Sequence, residues 1–207
     1  LFSEKIETVQ VAPFLLDERE VTNAEYARYL ATLDPATRSR AVPRRLLPGP
    51  GDRTTPTWVA EANGTWAYPQ GTADQPVVGV TLSDARAYAA WAGKRLPTAR
   101  EWEWAARGVD GREFPFGDKL DPDACNAFTG ELTDVGRFPR DRSPFGALDM
   151  AGNVAEWVEG GSLDQGLIKG GSFDLPRYRA IIASFGKRQS GRPYEDVGFR
   201  CAQDAEK

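Results

Sequence analysis

The sequence contains no histidine, and only two cysteines and one methionine among its 207 residues. Without histidine a Ser-His-Asp triad is excluded, and Ser172 has no obvious base. Two cysteines are too few for a fold held together by disulfides. No apolar run approaches the roughly 20 residues of a membrane span, so we expect no membrane insertion. The net charge of −4 also argues against a nucleic-acid partner, because phosphate binding needs a basic surface.

What the sequence does contain is typical of a compact, loop-rich protein. Its hydrophobic fraction is 41%, with 21 Gly, 15 Pro and six Trp, whereas a disordered chain has fewer aromatic residues and a larger net charge. We therefore predict one domain over residues 1–207. The sequence has neither a signal peptide nor an initiator Met, so we expect a mature or excised piece of a longer protein, and its composition assigns no compartment.

Residues 76–108 carry the most regular local pattern. The β-branched residues Val77, Val78 and Val80 predict a short strand, and the hydroxyl of Thr81 or Ser83 can cap a helix that ends at Gly93. A second helix follows Pro97, because Thr98 and Glu101 have the spacing of a capping box, and it ends at Gly108. This stretch predicts a strand followed by two helices.

The remaining residues predict one more helix and several short strands. Thr22 and Glu25 begin a helix that should end near residues 33–35, and the six prolines of residues 35–75 predict a long irregular excursion. Alternating or β-branched residues predict strands near 6–11, 14–16, 154–158, 167–169 and 180–183. The predicted fold class is therefore α+β, with about three helices and short antiparallel strands.

Five stretches in a fixed order resemble the formylglycine-generating enzyme family, also called the sulfatase-modifying-factor domain. The longest is WAGKRLPTAREWEWAARG at residues 91–108. The others are VTNAEY at 21–26, FGD at 116–118, FGALDMAGNVAEW at 145–157, and the pair KGGSF at 169–173 with GFRCA at 198–202. The resemblance covers nearly the whole chain, and it implies a loop-rich variant of the C-type lectin fold.

The resemblance also implies calcium as a cofactor. Family members bind it through side chains and backbone carbonyls at the positions of Asp149, Gly152, Val154 and Glu156. Calcium takes six to eight oxygen ligands, which a tight glycine-containing loop can supply. Alternatively, Glu156 caps the loop or pairs with an arginine. Asn126 and Ala127 resemble half of a second family calcium site, but the acid-Gly-aromatic loop that completes it is missing here.

The residues of the family's oxidative chemistry are absent. The formylglycine-generating members bind copper(I) through two cysteines between the Gly-Gly-Ser and Gly-Phe-Arg motifs, and residues 173–197 contain none. The related sulfoxide synthases bind iron through histidines, of which this chain has none. We therefore expect neither copper nor iron, and a domain that lacks the catalytic cysteines.

The two cysteines remain open to two interpretations. Cys201 lies in the GFRCA motif, where some family members form a disulfide with a helix position near Trp91, which is Ala90 in this chain. Cys125 could be its partner instead, or both cysteines could stay buried free thiols.

These observations favour a catalytically inactive domain that binds a protein or small-molecule ligand, or other domains of the same polypeptide, as a sensor module of a larger bacterial protein. The predicted binding face lies between the Gly-Gly-Ser and Gly-Phe-Arg motifs. Its residues are Asp174, Arg177, Tyr178, Arg188, Arg192, Tyr194 and Glu195, although its arginines can equally be structural. The alternative is an oxidoreductase of the formylglycine-generating or sulfoxide-synthase type, with metal ligands or chemistry not visible in this chain.

Overall fold

The computed structural model describes residues 10–49 and 51–205, and within them four α-helices, a short 3₁₀ helix and ten short strands. The helices are α1 Asn23–Thr32, α2 Pro35–Ala41, α3 Leu82–Trp91 and α4 Ala99–Arg107, and the 3₁₀ helix is Arg177–Ala180. The strands are β1 Phe14–Leu16, β2 Arg44–Leu46, β3 Thr54–Pro56, β4 Val59–Ala60, β5 Trp66–Ala67, β6 Ala155–Val158, β7 Gln165–Lys169, β8 Phe185–Gln189, β9 Val197–Gly198 and β10 Ala202–Asp204. In the described residues, no helix is long and apolar enough to cross a membrane.

The central sheet has the strand order β8-β7-β6-β9. β7 pairs antiparallel with both β6 and β8, whereas β9 runs parallel to β6. β1 and β10 form a separate antiparallel pair that joins the two ends of the described chain, with Leu15 opposite Gln203. The sheet thus places β6, which contains the end of the GNVAEW motif, between β7, which leads into the Gly-Gly-Ser motif, and β9, which leads into the Gly-Phe-Arg motif.

Three helices begin with the same side-chain arrangement. A threonine side chain accepts a hydrogen bond from the backbone N–H three residues later, and the acidic side chain at that later position accepts one from the threonine N–H. Each such cap contributes about 1 kcal/mol to helix stability. The threonine and acid pairs are Thr22 with Glu25, Thr81 with Asp84, and Thr98 with Glu101. The helix starts predicted from the sequence are confirmed.

An aromatic core joins α1 and α3 to the central sheet. Tyr26 of α1 stacks on Tyr88 of α3 with ring centroids 5.7 Å apart, and Phe199 contacts the edge of both rings. Tyr26 is fully buried and its hydroxyl donates to the carbonyl of Ala41 at 3.0 Å. The buried phenol therefore has a hydrogen-bond partner, which removes most of the cost of burying it.

The region 35–75 is more ordered than the sequence predicts. Asp34 accepts hydrogen bonds from the backbone N–H groups of Ala36 and Thr37, and Pro35 occupies the first turn of α2. Proline is compatible with that position, because the first N–H groups of a helix have no partner within the helix. Two hairpins follow, β2 with β3 and β4 with β5. The prediction of about three helices and an irregular excursion is corrected to four helices and two hairpins.

Two predicted strands are not strands. In residues 77–80 the backbone bonds three different segments, because the N–H groups of Val77 and Gly79 donate to the carbonyls of Val21 and Tyr194, and the Gly79 carbonyl accepts from Arg44. Of residues 180–183, Ala180 is the last residue of the 3₁₀ helix, and residues 181–183 form a bend and turn after it. Of the strand predicted near 6–11, residues 6–9 lie outside the described residues, and Val11 is not in a strand. The strands predicted near 14–16, 154–158 and 167–169 are confirmed as β1, β6 and β7.

Candidate functional site

The loop before β6 requires an unusual backbone. Asp149 and Asn153 have φ values of 57° and 55°, in the left-handed region, and Gly152 has φ 134°. A Cβ on Gly152 would lie 2.4 Å from the carbonyl oxygen of Asn126. Only glycine therefore fits where this loop packs against residue 126.

At the end of this loop the side chain of Glu156 forms an ion pair. The guanidinium of Arg200 donates to both carboxylate oxygens of Glu156, each at 2.8 Å, and both residues are fully buried. The indole Nε1 of Trp102, on α4, donates to the same carboxylate at 2.8 Å. The arginine pairing that the sequence left open for Glu156 is therefore the arrangement in the structure.

Arg200 also ties three backbone segments to this pair. Its Nη1 donates to the carbonyls of Asp17 and Glu18 at 3.2 and 3.0 Å, and its Nη2 donates to the carbonyl of Leu148 at 2.8 Å. Every guanidinium nitrogen therefore donates to a protein oxygen, as a buried charge requires. We call Arg200, Glu156 and Trp102 the arginine centre.

Three more buried acidic residues lie near the arginine centre, namely Glu20, Asp141 and Asp149. Burial raises the pKa of each, and the charge of Asp149 raises the pKa of Glu20 and Asp141 further. Asp149 Oδ2 accepts from the backbone N–H of Gly136 at 2.5 Å. In contrast, Glu20 Oε2 and Asp141 Oδ1 are buried and accept no hydrogen bond within the described residues, although the Glu20 side chain lies within hydrogen-bond reach of Asp149. If all were ionised, these three acids and Glu156 would place four negative charges around one arginine.

The fit of this loop to calcium is partial. Asp149, Glu20 and Asp141 bring carboxyl oxygens, which are the ligands that a hard cation prefers. However, both oxygens of Glu156 are engaged by Arg200, and no group of three or more acidic, histidine or cysteine side chains in the described residues has the geometry of a metal site. The carbonyls of Gly152 and Val154 belong to the same loop. The four-residue calcium set stays a prediction.

Asn126 and Ala127, the predicted half of a second calcium site, contact other protein groups in the structure. The Asn126 amide donates to the carbonyl of Glu131 and to Oδ1 of Asn153, both at 3.0 Å, and its own Oδ1 accepts from the Thr129 hydroxyl. Ala127, the other member of this half-site, is buried in a small cluster with Phe114. Asn126 therefore links two loops in this structure.

Part of the predicted binding face is brought together at the end of β8. The Arg188 guanidinium lies 5.4 Å from the Tyr194 ring centroid, and the Tyr194 hydroxyl accepts from the Gln189 N–H at 3.1 Å. Arg192 pairs with Asp52 at 3.2 Å and donates to the Gln189 side chain. These arginines therefore have structural contacts, as the sequence allowed.

The other predicted residues of the face are exposed. Arg177 and Tyr178 lie on the 3₁₀ helix, where the Tyr178 side chain is 63% exposed, and Asp174 and Glu195 are exposed as well. Between the 3₁₀ helix and β8 lies a cleft of about 130 Å³, to which Arg188 alone of the seven predicted residues contributes. The structure therefore divides the predicted face into an exposed part and a part packed on β8.

Both cysteines are buried free thiols. Burial raises the pKa of each to about 12, and the charges of Asp141 and Asp17 add to the effect on Cys125 and Cys201 respectively. A raised pKa disfavours the thiolate form, which is the form that binds copper(I). Of the two alternatives that the sequence allowed, the structure has the free thiols.

Sequence reasoning assigned no role to Arg200, Trp102 or Glu20. The available signal was that Trp102 and Arg200 both lie inside the recurring motifs. A buried glutamate also needs a donor that can reach it. The pairing itself was not visible, because 44 residues separate Glu156 from Arg200 and 54 separate it from Trp102.

The architecture is the α+β, C-type-lectin-like fold in its formylglycine-generating-enzyme variant. The solved structure of PvdO from Pseudomonas aeruginosa matches it with a TM-score of 0.68 and 26% sequence identity, over 93% of this chain and 81% of that one. The family model described as a sulfatase-modifying factor enzyme 1-like domain matches residues 4–205. The chain belongs to this family, as its motifs predicted.

The chain is similar to relatives that are named as an enzyme, as an inactive enzyme and as a kinase. A formylglycine-generating enzyme of Streptomyces coelicolor is 31% identical over 97% of this chain and 81% of its own length. A protein of Bos taurus named inactive C-alpha-formylglycine-generating enzyme 2 is 32% identical over 72% of the chain and 59% of its own length. The serine/threonine-protein kinase pkn1 of Chlamydia caviae is 37% identical over 70% of the chain, which corresponds to 22% of the kinase. The chain thus spans only a part of some relatives.

Proposed function

We propose that this chain is a non-catalytic domain of the family that binds a ligand or protein partner as a module of a larger bacterial protein. The proposal depends on the number, position and burial of the cysteines. The chain has two cysteines and no histidine, and both cysteines are buried with pKa values of about 12. Neither cysteine lies in the segment between the Gly-Gly-Ser and Gly-Phe-Arg motifs, and burial makes the thiolate form of each unfavourable.

The similarity to named proteins supports the same proposal. One relative is named as an inactive enzyme, and another carries the similar region within a kinase of which it forms 22%. The proposed binding surface is the exposed part of the predicted face, namely Asp174, Arg177, Tyr178 and Glu195, together with Arg188, Arg192 and Tyr194 at β8. Aromatic and arginine side chains are enriched in such surfaces.

Calcium belongs to the proposal as a structural cofactor of residues 149–156. Its support is the excess of buried carboxyl groups over the single arginine, and the two carboxyl oxygens of Glu20 and Asp141 that accept no hydrogen bond in the described residues. Calcium would take oxygens from Asp149, Gly152 and Val154, whereas Glu156 would have to exchange part of its contact with Arg200.

A second candidate function is an oxidoreductase of the formylglycine-generating or sulfoxide-synthase type. The 31% identity to the Streptomyces coelicolor enzyme over nearly the whole chain favours it. That chemistry needs metal ligands supplied from outside this chain.

A turnover assay separates the two candidates. The chain is incubated with copper(I), oxygen and a Cys-x-Pro-x-Arg peptide, with the Streptomyces coelicolor enzyme as positive control, and mass spectrometry is used to look for the aldehyde. We expect no aldehyde from this chain. Turnover above the level of free copper(I) would overturn the non-catalytic proposal.

The binding role is tested by a matched pair of exposed aromatic residues. Tyr178 is 63% exposed on the proposed face, and Phe145 is 58% exposed elsewhere on the surface. Molecules that co-purify with the full-length protein from the cells that make it are compared by mass spectrometry for Tyr178→Ala, Phe145→Ala and the unaltered protein. We expect a species that Tyr178→Ala loses and Phe145→Ala retains. Identical sets for all three proteins would refute the proposed face.

A further inference from the structure

The strand β1 pairs with β10 on one side only, and its other side forms a sheet edge. The N–H of Asp17 donates to the carbonyl of Cys201 at 2.9 Å, so the Asp17 backbone faces β10. Backbone direction alternates along an antiparallel strand, and Leu15 therefore also faces β10. The N–H and C=O groups of Phe14 and Leu16 point the other way. These four groups, two donors and two acceptors, are called the outer edge of β1.

The outer edge of β1 is open, in contrast to its surroundings. On the far side of β10, the N–H of Ala202 donates to the carbonyl of Arg95 at 2.7 Å, and the Arg95 N–H donates back at 2.9 Å. Just beyond β1, the carbonyl of Glu18 accepts from the N–H of Leu148 at 2.8 Å. Within residues 10–49 and 51–205, the four groups of the outer edge form no hydrogen bond.

A groove of about 600 Å³ lies along this edge. It is lined by β1 with residues 11–13, by Trp104 and Ala105 of α4, and by the loop 142–147, which contributes Phe145. The rings of Trp104 and Phe145 have centroids 5.9 Å apart, and both side chains are exposed to solvent. Ligand pockets typically enclose about 300–1,000 Å³. The groove is therefore large enough to take several side chains beside the open edge.

The described side chains that line the groove give it no net charge. The charged ones are Arg142 and Glu18, whose Nη2 and Oε1 atoms lie 3.6 Å apart. Arg142 also donates to the carbonyl of Gly146 at 3.2 Å. The groove thus offers an ionic ligand no excess of opposite charge, whereas an apolar side chain would bury the exposed faces of Trp104 and Phe145.

The spacing of the open backbone groups matches an extended peptide. Phe14 and Leu16 are two residues apart, which corresponds to about 6.8 Å along an antiparallel strand. Each presents one donor and one acceptor, and the backbone of a second strand repeats its own donors and acceptors at this interval. Sheet edges with pockets for alternate side chains are a general mode of peptide recognition. The backbone and the groove therefore favour the same kind of ligand.

We propose that the outer edge of β1 binds an extended peptide segment of a partner protein, which adds a strand beside β1. Alternate residues of a strand lie on one face, so the segment carries uncharged, apolar side chains at every second position. Those side chains pack on Trp104 and Phe145. This site is separate from the predicted binding face of residues 174–195, and it goes beyond the function proposed above.

Amide hydrogen exchange, measured by NMR, tests whether the edge is open. In the free chain we expect the N–H of Leu15 to exchange slowly, because it faces β10, and those of Phe14 and Leu16 to exchange rapidly. A bound peptide should slow the exchange of Phe14 and Leu16 at least tenfold and that of Leu15 by a smaller factor. Leu15 is thus the control within the same strand.

The probes are nine-residue peptides, selected from a random phage-displayed library on the immobilised chain and then synthesised. We expect the selected peptides to share apolar residues at alternate positions. Methylating their backbone nitrogens one at a time should raise the Kd about tenfold at every second residue and little at the residues between, since only every second N–H faces β1. A ligand held by its side chains alone would not show this alternation.

Two exposed phenylalanines form a matched pair that assigns the binding to the groove. Phe145 lines the groove and is 58% exposed, whereas Phe185 on β8 is 57% exposed and lies outside it. We expect Phe145→Ala to raise the Kd of a selected peptide about tenfold and Phe185→Ala to leave it unchanged. Because both side chains are exposed, the urea midpoints of both variants should stay close to that of the unaltered chain.

The inference is overturned if no selected peptide shows the alternation, or if Phe145→Ala weakens binding no more than Phe185→Ala. Slow exchange of Phe14 and Leu16 in the free chain would also overturn it. Slow exchange that is independent of protein concentration would assign the edge to a segment of the same chain, and slow exchange that depends on concentration would assign it to a second copy.

None of these results bears on the predicted binding face. In the co-purification comparison, a species that only Phe145→Ala loses would come from the groove. The species expected to depend on Tyr178 therefore still tests the face by itself.

Discussion

The arginine centre and the predicted binding face differ in burial and in hydrogen bonding. Arg200 is fully buried and all of its nitrogens donate to protein oxygens, whereas Tyr178 on the face is 63% exposed. The family motifs contribute Arg200, Glu156 and Trp102 to the first region, whereas the segment between two motifs forms the second. This comparison indicates that the recognisable motifs form the framework, and the binding that we propose for the predicted face is assigned to residues between them.

Removing the central charge is the most direct way to test the framework role. Arg200→Leu leaves Glu156 buried without its partner, so we expect a loss of about 3–5 kcal/mol in the free energy of unfolding. Urea denaturation measures it. As the control on the face, Arg192→Gln breaks a partly exposed pair with Asp52 and should cost at most about 1 kcal/mol.

A double variant provides a control for the loss of stability caused by Arg200→Leu. The double variant Arg200→Leu/Glu156→Leu removes both charges and should regain part of the lost stability, because no unpaired ion is left buried. An Arg200→Leu cost below that of Arg192→Gln would show that the arginine centre is not the organising contact.

The alkylation rates of the two cysteines test how strongly the protein interior suppresses the thiolate form. With a pKa of about 12, roughly one thiol in ten thousand is ionised at pH 8, compared with about a quarter for an ordinary cysteine. We therefore expect iodoacetamide to alkylate Cys125 and Cys201 at least a thousandfold more slowly in the native protein than in urea. Mass spectrometry over time measures both rates, and similar rates would show that a thiolate is available for metal binding.

The calcium dependence of the melting temperature tests whether Arg200 is the only cation that compensates the charge of the buried acidic residues. If calcium binds with a dissociation constant near 10 μM, 1 mM calcium adds about 2.7 kcal/mol by mass action and raises the melting temperature by several degrees. Asp149→Asn should remove most of that shift. Equal melting temperatures in calcium and in EDTA would mean that the arginine, together with protonated carboxyl groups, suffices.

The smallest expected effect lies on the face. Tyr178→Ala changes an exposed side chain, so the free energy of unfolding should stay within about 0.5 kcal/mol of the unaltered value. The urea midpoint measures this. A larger loss would place Tyr178 in the framework and weaken the division between the two regions.

Local features were predictable from the sequence because their partners are a few residues apart. The threonine caps of α1 and α4 lie three residues from the acids that complete them, and Gly93 and Gly108 adopt the positive φ angles, 69° and 70°, expected of residues that end helices. Longer-range features were misjudged. Residues 77–80 have the composition of a strand, yet their backbone groups bond three separate segments.

The sequence by itself determined the family, through five motifs in order, and the absence of copper-binding cysteines from residues 173–197, because both depend only on which residues are present. The tertiary structure alone decided that Arg200 neutralises Glu156 and that the indole of Trp102 donates to the same carboxylate. The physical reason is that electrostatic partners are chosen by distance in space, and folding brings together charges that lie far apart along the chain.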